Sequence, residues 1–195
     1  MSAEFSKGWW LVAWTAATVG GFAALVLAVY GPEPQGMHLI LRATARASLV
    51  LFLAVFVASR LRAVWPSRPA RWLVENRRYL GVSFATSHTI HFAAIIGLTR
   101  VASERPDLAV LLVGGLGYAF IVAMAATSSD TTAAWLGPRR WKMLHTCGVY
   151  YLWSVFTLTS LGAAVRDPLS VVSLALLASA LFLRLIPSRA SRVAA

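Results

Sequence analysis

Long apolar runs alternate along the chain with short polar segments that are rich in proline, glycine or arginine. Each run is close to the roughly 20 residues that a helix needs to cross a bilayer. Because backbone polar groups in lipid must be satisfied internally, the pattern predicts an all-α polytopic membrane protein, a six-transmembrane-helix bundle that forms one domain over residues 1–195. The predicted spans are residues 9–30, 38–59, 79–98, 108–127, 141–161 and 169–185.

The breaks between the runs contain residues that do not continue a helix. The connections are predicted to be loops, short except for residues 60–78 and 128–142. The breaking residues are Gly31, Pro32, Pro34, Pro66, Pro69, Pro106, Gly137, Pro138 and Pro168.

Arginine and lysine are concentrated on one predicted side of the membrane, in loops 60–78 and 128–142 and in the C-terminal tail. The other side has three arginines, which acidic residues balance. Since cytoplasmic loops carry the excess of basic residues, both termini are predicted to be cytoplasmic, in a multi-pass protein of the inner (plasma) membrane. The first run is too long for a signal-peptide core and is interpreted as a retained span.

Composition agrees with a membrane protein, since 58% of the residues are hydrophobic and 13% are charged. The net charge of +11 does not indicate nucleic-acid binding, because the basic residues lie in short segments between apolar runs. Membrane lipid is the expected surrounding. Cys147 is the only cysteine, so an intrachain disulfide is excluded.

The candidate functional side chains inside the predicted spans are Arg42, Arg46, His88, His91 and His145. Charged and ionisable groups at that depth are costly and usually functional. At 1.5 Å rise per residue, His91 lies about 18 Å and His145 about 6 Å from the cytoplasmic ends of their helices, and Arg46 lies at a depth similar to that of His91. The candidate uses are heme or metal ligation, proton transfer and internal hydrogen bonding, with a quinone or lipid as another partner for Arg46.

Several segments together resemble the ferric reductase-like transmembrane family, which includes the membrane core of NADPH oxidases and the bacterial MsrQ/YedZ-like group. They are Arg77-Arg78-Tyr79-Leu80-Gly81 through His91, then Thr127-Ser128, Leu136-Gly137 and Trp141-Lys142-Met143-Leu144-His145. The resemblance covers the second to the fifth predicted helix.

The resemblance implies that b-type heme is held between the third and fifth helices by axial histidines. His91 and His145 match family ligand positions, whereas Arg77 and Leu158 stand where the family has two further histidines. A standard bis-histidine site is therefore not visible. Three alternatives stay open: His91 or His88 holds one heme with an unusual or absent second ligand, the fifth helix shifts to bring His145 closer to His88, or heme has been lost.

The expected function is that of a b-type-cytochrome-like protein, the membrane subunit of an oxidoreductase, with at most one heme b. Arg42 and Arg46 would contact the heme propionates, and Arg77 would be a cytoplasmic-side anchor for an anionic group. No glycine-rich dinucleotide motif or flavin domain is visible, so electrons would come from a separate flavoprotein reductase or a quinol and pass to an external acceptor or periplasmic redox partner. The alternative is a heme-free protein of the same fold that acts as a scaffold, as a proton or small-solute path, or in binding quinone or lipid.

Overall fold

The structure is a computed structural model that describes residues 7–102 and 107–186. Within these ranges the chain forms helices and no strands, which confirms the predicted all-α class. The helices are α1 (Trp9–Tyr30), α2 (Pro34–Val64), α3 (Arg68–Glu75), α4 (Arg77–Val101), α5 (Leu108–Ala126), α6 (Asp130–Leu136), α7 (Pro138–Ala163) and α8 (Pro168–Leu185).

Five of the described helices are long and apolar enough to cross a membrane: α1, α2, α4, α5 and α8. The predicted span 141–161 is helical as part of α7, but α7 is not among the five. Its first turns carry Arg139, Arg140 and Lys142, and polar residues continue to Thr146, so its uninterrupted apolar stretch is shorter. The six-span count therefore stays a prediction.

Two short helices occupy segments that the sequence analysis treated as loops. Helix α3 begins after Ser67, whose hydroxyl oxygen accepts from the Ala70 amide, and has a proline in its first turn. Helix α6 begins after Ser129, whose hydroxyl oxygen accepts from the Thr132 amide at 3.1 Å. The prediction of loops over 60–78 and 128–142 was wrong for these stretches, although serine caps and an N-terminal proline are recognisable helix-start signals.

Helix α2 is longer than predicted. Its 31 residues have a length of about 46 Å, against roughly 30 Å for the hydrocarbon core of a bilayer. It extends beyond the predicted span 38–59 at both ends, since Pro34 is compatible with a first helical turn and the basic residues Arg60 and Arg62 do not interrupt the helix.

The chain divides into two compact units. The first unit comprises Met1–Phe52 and Arg78–Gly115, and the second comprises Leu53–Arg77 and Leu116–Ala195. The core of the first unit is formed by apolar side chains of α1, α2 and α4: Ala23, Val26, Met37, Ile40 and Ala94.

In the second unit, helices α7 and α8 are joined by packing and by a side-chain hydrogen bond. The Trp153 indole donates to the carbonyl oxygen of Leu177 at 3.0 Å, and the Leu177 side chain is fully buried. Helix α5 approaches α7 at Gly148, where an added Cβ would lie 2.8 Å from the Met124 sulfur. The absence of a side chain at Gly148 thus permits the close approach of the two helices.

Candidate functional site

A seam of small polar side chains joins α2 to α4 inside the first unit. The Thr44 hydroxyl lies 2.9 Å from Nδ1 of His91, and the hydroxyls of Ser48 and Ser87 lie 2.9 Å apart. Thr44 and Ser48 are four residues apart on α2, and their partners His91 and Ser87 are four residues apart on α4 in the reverse order. This is the pattern expected for the facing sides of two antiparallel helices. Thr44, Ser48 and Ser87 are at most 1% exposed, so this seam is part of the interior of the unit.

The hydrogen bonds of Thr44 favour one tautomer of His91, and the Leu41 backbone is a further hydrogen-bond partner of the ring. A hydroxyl has one proton, and that of Thr44 donates to the carbonyl oxygen of Ile40 at 2.7 Å. Its oxygen is then the acceptor of the Nδ1–H of His91. In the neutral ring this tautomer leaves the lone pair on Nε2, the nitrogen at the far end of the ring from the backbone. That electron pair is the one a metal requires of an imidazole.

His88 lies beside His91, so the structure brings the two intramembrane histidines of α4 together. Their ring centroids are 5.1 Å apart, with the planes inclined by 31°. The His88 ring also lies 5.3 Å from the ring of Phe84, which in turn contacts Phe52 at 5.8 Å. His88 is thus held between an aromatic contact on one side and His91 on the other.

Arg42 and Arg46 lie on a different face of α2 from the one that contacts His91. Each is two residues from Thr44, which corresponds to about 200° around the helix axis. Arg42 is exposed and Arg46 is half-buried. The structure therefore does not place them on the Thr44 side of the helix, and contact with heme propionates stays a prediction for both.

His145 has a different environment, in the second unit. Its ring stacks on Trp141 with 4.2 Å between centroids, and its Nε2 lies 3.3 Å from the Thr127 hydroxyl. The Thr127 hydroxyl donates to the carbonyl oxygen of Ala123 at 2.7 Å, so its oxygen accepts from Nε2–H of His145. This arrangement favours the tautomer of His145 in which Nε2 carries the proton and Nδ1 has the lone pair.

Two hydrogen bonds connect the motif residues Thr127, Trp141 and His145. The Trp141 indole donates to the carbonyl oxygen of Thr127 at 2.9 Å, while the Thr127 hydroxyl contacts His145. The pair therefore ties the end of α5 to the start of α7. Thr127 belonged to the motif, but its contact with His145 was not predicted from the sequence.

Arg77 also lies in the second unit, at the first position of α4, where its Nη1 donates to the Ser59 hydroxyl at 3.2 Å. Leu158, at a position where the family has a histidine, is 62% exposed. Cys147 is exposed as well.

The described residues contain no group of three or more His, Cys, Asp or Glu side chains that could hold a metal ion. A bare metal ion needs about three or more protein ligands, whereas heme iron takes four from the porphyrin and one or two from the protein. The donor set of the first unit, a positioned imidazole with a second imidazole beside it, therefore fits heme better than a bare metal ion.

Three curated proteins match the chain, and all three are described as the protein-methionine-sulfoxide reductase heme-binding subunit MsrQ. The protein of Ralstonia nicotianae is 29% identical over 144 residues, which are 69% of this chain and 64% of that protein. A protein of Klebsiella pneumoniae is 33% identical over 127 residues, 57% of this chain and 61% of that protein. The chain is MsrQ-like in sequence. The resemblance inferred from the motifs is thereby confirmed.

The chain spans 61% to 64% of the length of the MsrQ proteins that it matches. No family model matches the chain. No solved structure matches it either.

Several contact residues of the candidate site were not singled out from the sequence. Thr44, Ser48 and Ser87 are small polar residues of a kind common in membrane helices. Their spacing was nevertheless visible, because Ser83, Ser87 and His91 recur every four residues on α4, and Thr44 and Ser48 are four apart on α2. A polar stripe with this period indicates one helix face.

Proposed function

We propose that the chain is a membrane electron-transfer subunit that binds one heme b through His91. When bound, the heme supplies the one-electron redox chemistry. The chain supplies an axial ligand, a seam that orients it and an apolar surrounding that excludes water. The MsrQ relatives, whose names describe heme-binding subunits, support the choice of cofactor.

The observation that carries this proposal is the hydrogen bond between Thr44 and His91. Imidazoles that bind metals usually donate their other ring N–H to a nearby acceptor, which selects the tautomer and holds the ring. His91 has this arrangement inside the membrane-spanning part of α4, where an imidazole without a functional role is costly.

The candidate for the second ligand is His145, which matches the family motif. His145 can ligate through Nδ1 as it stands, or through Nε2 after giving up its hydrogen bond to Thr127. His88 and His91 cannot both ligate one heme iron, because their rings project side by side from the same helix, 5.1 Å apart. We propose His145 as the second ligand, and His88 as the alternative to His91 for the first.

We further propose that the chain is a multi-pass protein of the inner membrane, with six spans and both termini in the cytoplasm. Helix α7 supplies the sixth span, because its 26 residues measure about 39 Å and its basic residues all lie in the first turns. Basic residues at one end of a span are favourable at the cytoplasmic surface.

Electrons would enter from a separate flavoprotein reductase or from a quinol and leave to an external acceptor. The names of the relatives make a protein-methionine-sulfoxide reductase the first acceptor to test. Arg42 and Arg46 remain the proposed propionate contacts.

The test is a dithionite-reduced minus oxidised absorption spectrum, together with a pyridine hemochrome assay, on the detergent-purified full chain. We expect a b-type spectrum with about one heme per chain, and His91→Ala should abolish it because the iron loses its positioned ligand. His38→Ala, which changes a half-buried histidine near the start of α2, is the matched control and should retain heme.

Substitutions of the other histidines identify the second ligand. If His145 is the ligand, His145→Ala should convert a low-spin spectrum to a high-spin one, while His88→Ala leaves it low-spin. Loss of heme in His88→Ala but not in His91→Ala would make His88 the first ligand in place of His91. A heme-free wild-type protein, from cells that load a control cytochrome, would refute the proposal.

A second candidate function is a heme-free proton path along the same seam. The Ser83 hydroxyl supports it, since it is buried and has no hydrogen-bond partner within residues 7–102 and 107–186. Ser83, Ser87 and His91 lie on one face of α4, about 6 Å apart along the helix axis. The heme assay separates the two functions. A proton path needs no heme, so it is the remaining candidate if the purified protein gives no heme spectrum.

A further inference from the structure

Three arginines of the second unit form a cationic cluster, which we call the arginine cluster: Arg60 of α2, Arg77 of α4 and Arg184 of α8. The charge of Arg184 is within electrostatic range of both Arg77 and Arg60. None of the three forms an ion pair with a carboxylate within residues 7–102 and 107–186. Among the described residues the cluster therefore combines three like charges without a counter-charge.

Protein groups hold the arginine side chains in place. The guanidinium of Arg184 lies over the rings of Phe56 and Tyr150, at 4.3 Å and 5.1 Å from their centroids. The two rings contact each other edge to face at 6.0 Å. Arg60 donates from Nη2 to the carbonyl oxygen of Ile186, at the end of α8. Stacking and this hydrogen bond give the guanidinium groups defined positions, whereas a surface arginine would be mobile in solvent.

Some donor atoms of the cluster are buried and unused. The Nε of Arg60 and the Nη1 of Arg184 are inaccessible to solvent and have no hydrogen-bond partner among the described residues. A buried charged donor without an acceptor is destabilising by several times the cost of a neutral one. An anionic acceptor with several oxygens would remove that penalty and also offset the repulsion between the arginines.

The position of the cluster along the helices indicates the kind of anion. Arg60 lies near the C-terminal end of α2, Arg77 at the start of α4 and Arg184 in the last turn of α8. These are the ends of three helices that are long and apolar enough to cross a membrane, and lipid headgroups lie at the ends of spanning helices. Basic pockets among helix ends at the cytoplasmic surface are typical sites for anionic lipid headgroups. Arginine also matches the planar, multidentate geometry of phosphate oxygens.

We propose that the arginine cluster binds a phosphate group, with an anionic phospholipid headgroup or free phosphate as its source. The phosphate oxygens accept from the guanidinium groups of Arg60 and Arg184, and Arg77 adds its charge at the start of α4, where backbone amides also favour an anion. Phe56 and Tyr150 hold Arg184 in its place. This site is separate from His91 and does not depend on heme.

The test titrates dansyl-labelled phosphatidylglycerol into the full chain in neutral detergent and follows energy transfer from tryptophan. We expect saturable binding, and the double variant Arg60→Gln/Arg184→Gln should bind at least about tenfold more weakly, since each lost charge-assisted hydrogen bond has a large effect. Arg62→Gln removes an exposed charge two residues from Arg60 and is the matched control, which should bind within about twofold of wild type.

Competition distinguishes the two sources of phosphate. Displacement of the probe by unlabelled phosphatidylglycerol but not by excess inorganic phosphate would support the lipid, and displacement by both would support the phosphate group itself. Equal competition by phosphatidylcholine would overturn the proposal, and so would an equal loss of affinity in Arg62→Gln, because the attraction would then be non-specific.

A second variant covers the case in which the double variant does not fold, as judged by circular dichroism. Arg184→Lys keeps the charge and the contact with the aromatic rings but loses the planar fork of donors. We expect its affinity to fall severalfold while its helix content stays at the wild-type value. Wild-type affinity in this variant would contradict recognition of phosphate by the Arg184 guanidinium.

Discussion

Thr44→Val tests whether the Thr44 hydroxyl prepares His91 to ligate iron. Valine keeps the branched shape of the side chain, so the packing of this residue, which is 1% exposed, should be retained. The hydroxyl that accepts from Nδ1 of His91 at 2.9 Å is lost. The carbonyl oxygen of Ile40 loses only an additional donor, because the helix backbone already provides it with one.

The magnitude follows from the loss of the Thr44 acceptor, while the Leu41 backbone stays as a hydrogen-bond partner of the His91 ring. An unsatisfied buried donor costs about 1–3 kcal/mol, roughly 5- to 150-fold in an equilibrium constant, which is the upper bound for this variant. Loss of an outer-sphere hydrogen bond to a metal-binding histidine typically weakens the metal site by about 10- to 100-fold. We therefore expect heme affinity to fall by one to two orders of magnitude, with helix content unchanged.

The assay measures the rate at which heme leaves the purified protein for an excess of apomyoglobin, and the heme-to-protein ratio after purification. Thr89→Val is the matched control, since Thr89 is exposed on α4 and its hydroxyl donates only to its own helix, to Ala85. A Thr44→Val protein with wild-type heme content and release rate would refute the argument that this hydrogen bond orients the ligand.

Two further predictions concern the helix contacts on which the site depends. Ser48→Ala and Ser87→Ala should each lower the thermal stability in detergent, and the double variant should lose less stability than the sum of the two single losses. The expected coupling energy is about 0.6–1.7 kcal/mol. Strict additivity in the double-mutant cycle would show that the 2.9 Å contact between the hydroxyls contributes nothing. Gly148→Val should destabilise the protein by about 1–3 kcal/mol, because the valine side chain would collide with Met124 and Phe120. Gly162→Val is the control and should cost much less, since an added side chain there meets open space. Similar melting temperatures for the two variants would contradict close packing of α5 and α7.

The positions of several helices could be predicted from the sequence because lipid imposes a simple rule. An apolar run of sufficient length must be helical in a bilayer, so α1 has the predicted bounds and α5 ends one residue before its predicted end. Helix α3 and the extension of α2 were not predicted, because hydropathy identifies only apolar runs and these helical segments are polar or amphipathic.

The candidate site was predictable only in part. His88, His91 and His145 were identified because ionisable groups are rare in predicted spans, and that argument uses no knowledge of their neighbours. Their hydrogen-bond partners, Thr44 and Thr127, could not be deduced in the same way. Small hydroxyl residues are common in membrane helices, and their role depends on which helix face each one meets.

The sequence by itself determined the class of fold, the MsrQ-like character and the histidines that are worth testing, since these follow from local composition and motifs. Only the tertiary structure decided that Thr44 accepts from His91, that Thr127 engages Nε2 of His145, and that Arg60 and Arg184, 124 residues apart in the chain, belong to one cluster. The physical reason is that hydropathy selects segments for the membrane, whereas the register and facing of helices depend on packing between residues that are distant in sequence.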